Sequence, residues 1–121
     1  MTAHCVLVVD DDVDLRGALA AVLESHGYGV VEANHGREAL DVLTRDPDRF
    51  CLIVLDLFMP EMDGWTFLAE QGKDSRLVDK PVLVVTADPI AARRAAARGV
   101  VAAMTKPVDF GRLLCAVRQH C

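Results

Sequence analysis

The sequence predicts an α/β protein: a single domain in which a parallel sheet carries helices on both faces. Three observations carry that prediction. Continuous apolar runs rich in β-branched residues occur at Cys5–Val9, Cys51–Leu55 and Val82–Val85, the pattern of strands buried on both faces. Stretches with helical apolar spacing lie between them. The connections are short, and no repeat, linker or low-complexity stretch interrupts the alternation. Such a chain folds with right-handed crossovers and covers its sheet on both sides.

The elements follow in order. After the first strand, Cys5–Val9, Leu15, Leu19, Val22 and Leu23 recur at i, i+4, i+7 and i+8, the stripe of a helix that Gly27 ends. Gly29–Ala33 reads as the second strand. Ala39, Leu40 and Leu43 mark a second helix, closed before Pro47. Cys51–Leu55 is the third strand, and Phe67 and Leu68 mark a third helix capped by Asp63. Val82–Val85 is the fourth strand. Asp88-Pro89 then supplies N-cap and N1 for a fourth helix rich in Ala and Arg. Val100–Met104 is the fifth strand, and Phe110, Leu113, Leu114 and Val117 form the stripe of the fifth helix. Of the two common doubly wound orders, five strands in 121 residues favour the flavodoxin-like 2-1-3-4-5 over the dinucleotide-binding one.

Composition excludes several function classes. With 52% hydrophobic and 26% charged residues, the chain is no disordered tail, and its length supports a core without staples. Thirteen basic residues against eighteen acidic ones leave a net charge of −5, which argues against direct DNA binding as the main role. No apolar run approaches the ~20 residues of a membrane span. Residues 1–5 show no basic segment followed by an apolar one, so no secretory leader is expected. Cys5, Cys51, Cys115 and Cys121 form no Cys-x-x-Cys pair. They are expected to be reduced core residues of a cytosolic protein.

The polar residues that end the strands point to a site. The first strand runs into Asp10-Asp11-Asp12, the third into Asp56, the fourth into Thr86 and the fifth into Thr105-Lys106. In an open parallel sheet these ends share one edge, and ligands bind there at the topological switch point. In the order 2-1-3-4-5 that point lies between strands one and three. Asp10, Asp11 and Asp56 therefore meet in one pocket, with Thr86 and Lys106 beside it. Taken singly, each has a plainer reading: Asp12 as a helix N-cap, Thr86 as a turn residue, Lys106 as a solvated cation. Jointly they describe a site. Two carboxylates ~4 Å apart repel by about 4 kcal/mol at an effective dielectric of 20, so such a cluster holds a proton or a cation. Hard oxygen donors suit Mg²⁺, with Mn²⁺ as an acceptable substitute. A carboxylate beside that cation, a Lys and a hydroxyl can attack a phosphoryl group.

With these residues in view, the chain resembles a response-regulator receiver domain of two-component signalling. The blocks that carry the resemblance are Val8-Val9-Asp10-Asp11-Asp12, Asp56-Leu57-Phe58-Met59-Pro60-Glu61-Met62-Asp63-Gly64, Val85-Thr86-Ala87 and Thr105-Lys106-Pro107. The resemblance covers essentially the whole chain, 1–121, as one receiver domain. It implies that Asp56 is the phosphoacceptor, that Asp11 is a direct Mg²⁺ ligand and Asp10 a water-mediated one, and that the Phe58 backbone carbonyl completes the protein ligands. Lys106 would contact the phosphoryl group, and Thr86 would be the switch hydroxyl. Ala87 would leave the acyl phosphate accessible, and the Lys106–Pro107 peptide would be cis. The phosphodonor implied is a sensor histidine kinase or a phosphotransfer protein. The domain would act in the cytoplasm on a further downstream protein, and it is no enzyme beyond its own phosphorylation and dephosphorylation.

Three positions depart from the family pattern. Ala103 stands where Tyr or Phe is usual, the stretch between Thr86 and Lys106 is about two residues short, and Gly99-Val100-Val101 replaces the usual Gly-Ala-Asp. All fall on the output face of helix four, strand five and helix five. The expectation is an output by segment shift, with a phosphate sink lacking conformational output as the alternative. An Mg²⁺-dependent phosphatase with an Asp nucleophile is disfavoured, because Phe58 stands where a second Asp would serve as general acid. A nucleotide- or flavin-binding module would want a Gly-rich loop after strand one, where three aspartates stand instead. Trp65 reads as a helix-capping aromatic and Arg93, Arg94 and Arg98 as a solvated basic face, with partner contact as the alternative. The chain ends just after helix five, as a stand-alone receiver or a domain cut from a longer protein.

Overall fold

Five parallel strands form one sheet in the order β2-β1-β3-β4-β5, as the alternation predicts. The computed structural model describes residues 4–121; residues 1–3, part of the segment read above as carrying no leader, lie outside the described residues. The elements are β1 (Cys5–Val9), α1 (Val13–Ser25), β2 (Gly29–Ala33), α2 (Gly36–Arg45), β3 (Phe50–Asp56), α3 (Gly64–Lys73), β4 (Val82–Thr86), α4 (Pro89–Ala97), β5 (Ala102–Thr105) and α5 (Phe110–His120). A 3-10 turn at Pro47–Arg49 separates α2 from β3.

The central strands β1, β3 and β4 are buried along their whole length. Alternate side chains therefore feed two separate cores. Leu7, Val9, Ile53, Leu55 and Val84 face Ala39, Leu43, Phe67, Ala91 and Ala95, from α2, α3 and α4. Val6, Val8, Leu52, Val54, Leu83 and Val85 face Leu19, Leu23, Leu113, Leu114 and Val117, from α1 and α5. The expected caps hold: Asp12, Asp63 and Asp88 each accept a backbone N–H from the first turn of α1, α3 and α4, and Asp109, a cap not expected from the sequence, does the same for α5. Gly27 follows α1 at φ +89, a left-handed conformation that glycine adopts without steric cost.

Strand ends differ from the sequence reading. Asp56 and Thr86 are the last residues of their strands and not the first residues beyond them. The fifth strand begins at Ala102, two residues later than expected, and ends on Thr105. Sheet pairing is the reason: Leu83 pairs with Ala102 and Thr86 with Thr105, so β5 starts where a partner residue exists.

The cysteine expectation needs correction. Cys5 is a buried free thiol and Cys115 an exposed one, but Cys51 and Cys121 form a disulfide across 70 residues of chain, with Cα atoms 5.4 Å apart. It ties the start of β3 to the residue that follows α5. No local spacing signals the pair, because only the packing of α5 on β3 brings the two together. With two of its four cysteines bonded, the chain's cysteine usage is no sign of a reducing compartment. Native protein kept free of reductant should alkylate at Cys115, and after unfolding at Cys5 as well. Reduction should add Cys51 and Cys121 and lower the urea-unfolding free energy by about 4 kcal/mol, as expected for a loop of this length. Four alkylated cysteines without reductant would contradict the bridge.

Candidate functional site

Strand register aligns the site. Val9 pairs with Leu55, Asp56 with Val85, and Thr86 with Thr105. Asp10 and Lys106 are therefore the residues that follow paired positions at one edge. The Asp10 N–H donates to the Ala33 carbonyl at 3.1 Å and the Lys106 N–H to the Thr86 carbonyl at 2.8 Å, which extends the sheet pairing to the residues of the pocket. Asp10, Asp11 and Asp56 each offer a carboxylate oxygen, and these oxygens all lie within 4.8 Å of one another.

Asp10 is 2% exposed. Its Oδ1 accepts from the Asp12 N–H at 2.9 Å, and the Lys106 Nζ donates to its Oδ2 at 3.2 Å. The same Nζ stands 3.6 Å from Asp56 Oδ2, so one ammonium bridges two buried carboxylates. Asp56 Oδ1 accepts a 3.4 Å bond from the Phe58 N–H. Asp11 is exposed at the mouth, and Asp12 serves as the α1 cap, the plainer of its readings. The Phe58 ring is exposed beside Asp56.

Charge at this edge is not balanced by Lys106 alone. Burial, then the Asp10 carboxylate, push the Asp56 pKa from 3.8 to about 6, against the lowering effects of Lys106 and the Phe58 N–H; Asp11 adds a smaller push upward. Burial works against the Lys106 charge, but Asp56 and Asp10 together hold its pKa above the ordinary value. An all-carboxylate donor set, crowded enough to raise the pKa of Asp56 and still short of positive charge once ionised, fits a hard divalent cation such as Mg²⁺.

Thr86 is fully buried, and its Oγ1 accepts from the Asp88 N–H at 3.3 Å; no hydrogen bond among the described residues joins it to Asp56. The Lys106–Pro107 peptide is cis, as the resemblance implied. Ala103 is half-buried and packs on the core beneath α4. Trp65 is half-buried at the start of α3, and the Arg98 guanidinium lies 5.4 Å from its ring centroid.

Two supports were missed in the sequence. Arg16 on α1 donates from Nη1 to the Asp10 carbonyl at 2.7 Å and from Nε to Glu32 Oε1 at 3.0 Å. A cation next to the apolar stripe, between Leu15 and Leu19, was its only local signal. Gly64 is the other. A Cβ there would lie 2.7 Å from the Asp56 carbonyl oxygen and from Leu57 Cα, so only glycine lets α3 start against the strand that ends in Asp56. The Gly64 N–H then donates to Leu57 O at 2.9 Å and closes the loop that follows Asp56.

A doubly wound sheet with acidic residues and a lysine at its switch point defines a class of signalling domain, and the comparisons name the family. The response regulator receiver domain profile matches residues 6–118. The chain is 41% identical over 120 residues to the transcriptional regulatory protein GlrR of Escherichia coli, covering 95% of this chain but 25% of that one. It thus spans about a quarter of that relative's length. It is 37% identical over 118 residues to an uncharacterised 14.6 kDa protein of Leptolyngbya boryana, covering 96% and 88% of the two chains. A response regulator receiver protein from Pseudomonas putida superposes with a TM-score of 0.87 at 31% identity over 98% of both chains. The chain belongs to the response regulator receiver domain family of two-component signalling.

The Asp56 shift sets a pH dependence for the metal-free protein. Between pH 4 and 6 the folded state keeps a proton that the unfolded state releases, so stability falls as pH rises through that window and levels above it. The 1.36 kcal/mol per pKa unit sets a ceiling of about 3 kcal/mol, and solvent at the pocket mouth reduces it to about 2. In EDTA, the wild-type melting temperature should fall across this range relative to Asp56→Asn, and millimolar Mg²⁺ should abolish the difference. Parallel curves for the two proteins would contradict the assignment.

Proposed function

We propose that this chain, as one receiver domain over residues 1–121, accepts a phosphoryl group on Asp56 from a histidine kinase or phosphotransfer protein. The observation that carries the reading is the Asp56 carboxylate, buried at the end of β3, with Lys106 Nζ 3.6 Å away and two further carboxylates beside it. Asp10, Asp11, Asp56 and the Phe58 carbonyl would hold Mg²⁺. Bound there, Mg²⁺ supplies positive charge to the phosphoryl oxygens and relieves carboxylate repulsion.

An Asp56 carboxylate oxygen attacks phosphorus, the phosphorus–nitrogen bond of the donor phosphohistidine breaks, and the imidazole leaves. The product is an acyl phosphate on Asp56, which water later returns to carboxylate and phosphate. The transition state is loose, with charge on three equatorial oxygens. The Lys106 ammonium, already between Asp10 and Asp56, has one of those oxygens within a short reach. Phosphorylation of Asp56 also removes one of the two carboxylates that Lys106 bridges, so Lys106 can turn to the phosphoryl group. The reading carries a cytoplasmic location, where phosphodonors are charged from ATP, and no turnover of small molecules.

Output is read from Thr86. Its hydroxyl oxygen is engaged by the N–H of Asp88, the residue that caps α4. Turning that hydroxyl toward a phosphoryl oxygen on Asp56 breaks this bond and disturbs the start of α4. Ala103 has no χ angle with which to report the movement, so the signal is a shift of the segment.

With Mg²⁺ and acetyl phosphate, intact mass should show one added phosphoryl group that is acid-stable and base-labile, and Asp56→Asn should take none. Equal labelling of the variant would remove Asp56 from the role. Beryllofluoride with Mg²⁺ should move amide resonances between residues 87 and 105 as well as those around Asp56. Changes confined to the pocket would assign the domain to the phosphate-sink alternative.

A further inference from the structure

Arg16 is a cation placed where a helix least favours one. It lies near the start of α1, shortly after the cap Asp12, and a helix N-terminus already carries partial positive charge. Its side chain is only 11% exposed. Two oxygens hold it there. Nη1 donates to the Asp10 carbonyl at 2.7 Å, and Nε donates to Glu32 Oε1 at 3.0 Å. Glu32 belongs to β2, where it pairs with Val8 of β1. The two bonds therefore run from α1, across the end of β1, to the neighbouring strand.

The carbonyl that Arg16 holds is half of the peptide unit joining Asp10 to Asp11. That unit is planar, so a bond to its oxygen fixes the rotation of the whole plane between the two Cα atoms. The other end of Asp10 is tied as well, since its N–H donates to Ala33 O at 3.1 Å. The side chains on either side of the plane depend on it to different degrees. The Asp10 carboxylate has partners of its own in the Asp12 N–H and Lys106 Nζ. Asp11 is exposed, and the backbone N–H groups of this turn donate to Asp10 and Asp12 instead. The direction of the Asp11 carboxylate is thus inherited from the backbone that Arg16 grips.

We propose that Arg16, braced by Glu32, is a positioning residue for the cation site: it holds the Asp10–Asp11 peptide in the orientation that brings both carboxylates to Asp56. The proposal rests on the reading that Asp10, Asp11 and Asp56 hold Mg²⁺. Charge alone would act in the opposite direction. A guanidinium beside Asp10 repels a divalent cation, so removing it should tighten binding. Glu32 attracts the same cation, so neutralising it should loosen binding. Positioning requires the reverse at Arg16, where loss of the grip loosens the site. It requires near indifference to the charge of Glu32, because a glutamine oxygen still accepts the Nε–H.

The test is an Mg²⁺ titration of the full chain, followed by the amide resonances of Asp10, Asp11 and Asp12. It is run at a temperature where circular dichroism in EDTA shows each variant folded. Arg16→Met keeps the apolar stem of the side chain. It should weaken Mg²⁺ binding about tenfold, as loss of a partner that orients a metal ligand does. Arg16→Lys keeps the charge, but one ammonium does not reproduce the rigid fork of a guanidinium, and binding should weaken about threefold. Glu32→Gln should stay within about twofold of wild type. Binding by Arg16→Met as tight as wild type, or tighter, would overturn the proposal. So would wild-type affinity in Arg16→Lys, the variant that decides the matter if Arg16→Met does not fold. Tenfold weakening in Glu32→Gln would trace the effect to charge and overturn it too. Wild-type resonances that ignore Mg²⁺ would remove the metal site, and the positioning role with it. Wild-type binding with unaffected Arg16 variants would leave the metal site standing and remove the positioning role alone.

Discussion

Crowding of carboxylates at the dry end of a parallel sheet is the constraint on which the rest of this structure depends. Asp10, Asp11 and Asp56 bring oxygens within 4.8 Å of one another, and like charges at that distance repel by several kcal/mol once water is thinned out. The neighbourhood answers the repulsion at each point. Lys106 bridges Asp10 and Asp56 because Thr86 pairs with Thr105 and its carbonyl accepts the Lys106 N–H. Asp10 is held by the Asp12 N–H on its side chain and by Arg16 on its carbonyl. Even so, burial and Asp10 leave Asp56 with a pKa of about 6. The pocket is built for more positive charge than the protein itself supplies.

The same crowding links the pocket to the α4 side. Asp56 sits one strand away from Thr86, and Thr86 is joined through the Asp88 N–H to the cap of α4. α4 packs on the sheet through Ala91, Ala92 and Ala95, small side chains that make shallow contacts. A helix held by alanines loses less on a small displacement than one anchored by large side chains, since fewer dispersion contacts are broken. Ala103 beneath it adds no bulk.

Much of this was legible before any coordinates. Short β-branched runs, caps at Asp12, Asp63 and Asp88, and the polar residues that end four strands all depend on local pattern, and they fell where the pattern put them. Even the strand order followed, because five strands in a short chain leave few doubly wound arrangements. What was misread depends on contacts between distant segments. β5 begins at Ala102 because that residue has a partner in Leu83. Arg16 reads as one more surface cation until the Asp10 carbonyl and Glu32 are seen on either side of it. Cys51 and Cys121 read as ordinary core residues because nothing near either one names the other.

By itself the sequence determined the chemistry of this protein: which residue types end the strands, that they are carboxylates, a hydroxyl and an amine, and that α/β alternation gathers them on one edge. Periodicity and spacing suffice for that, since they act over a few residues. Only the tertiary structure decided how those groups hold one another. It set Lys106 between two carboxylates, aimed the Asp88 N–H at the Thr86 hydroxyl oxygen, and joined the end of α5 to β3 by a disulfide. Each of these is an interaction across space between residues that the chain keeps apart, and its strength depends on distance and burial, which no linear pattern encodes.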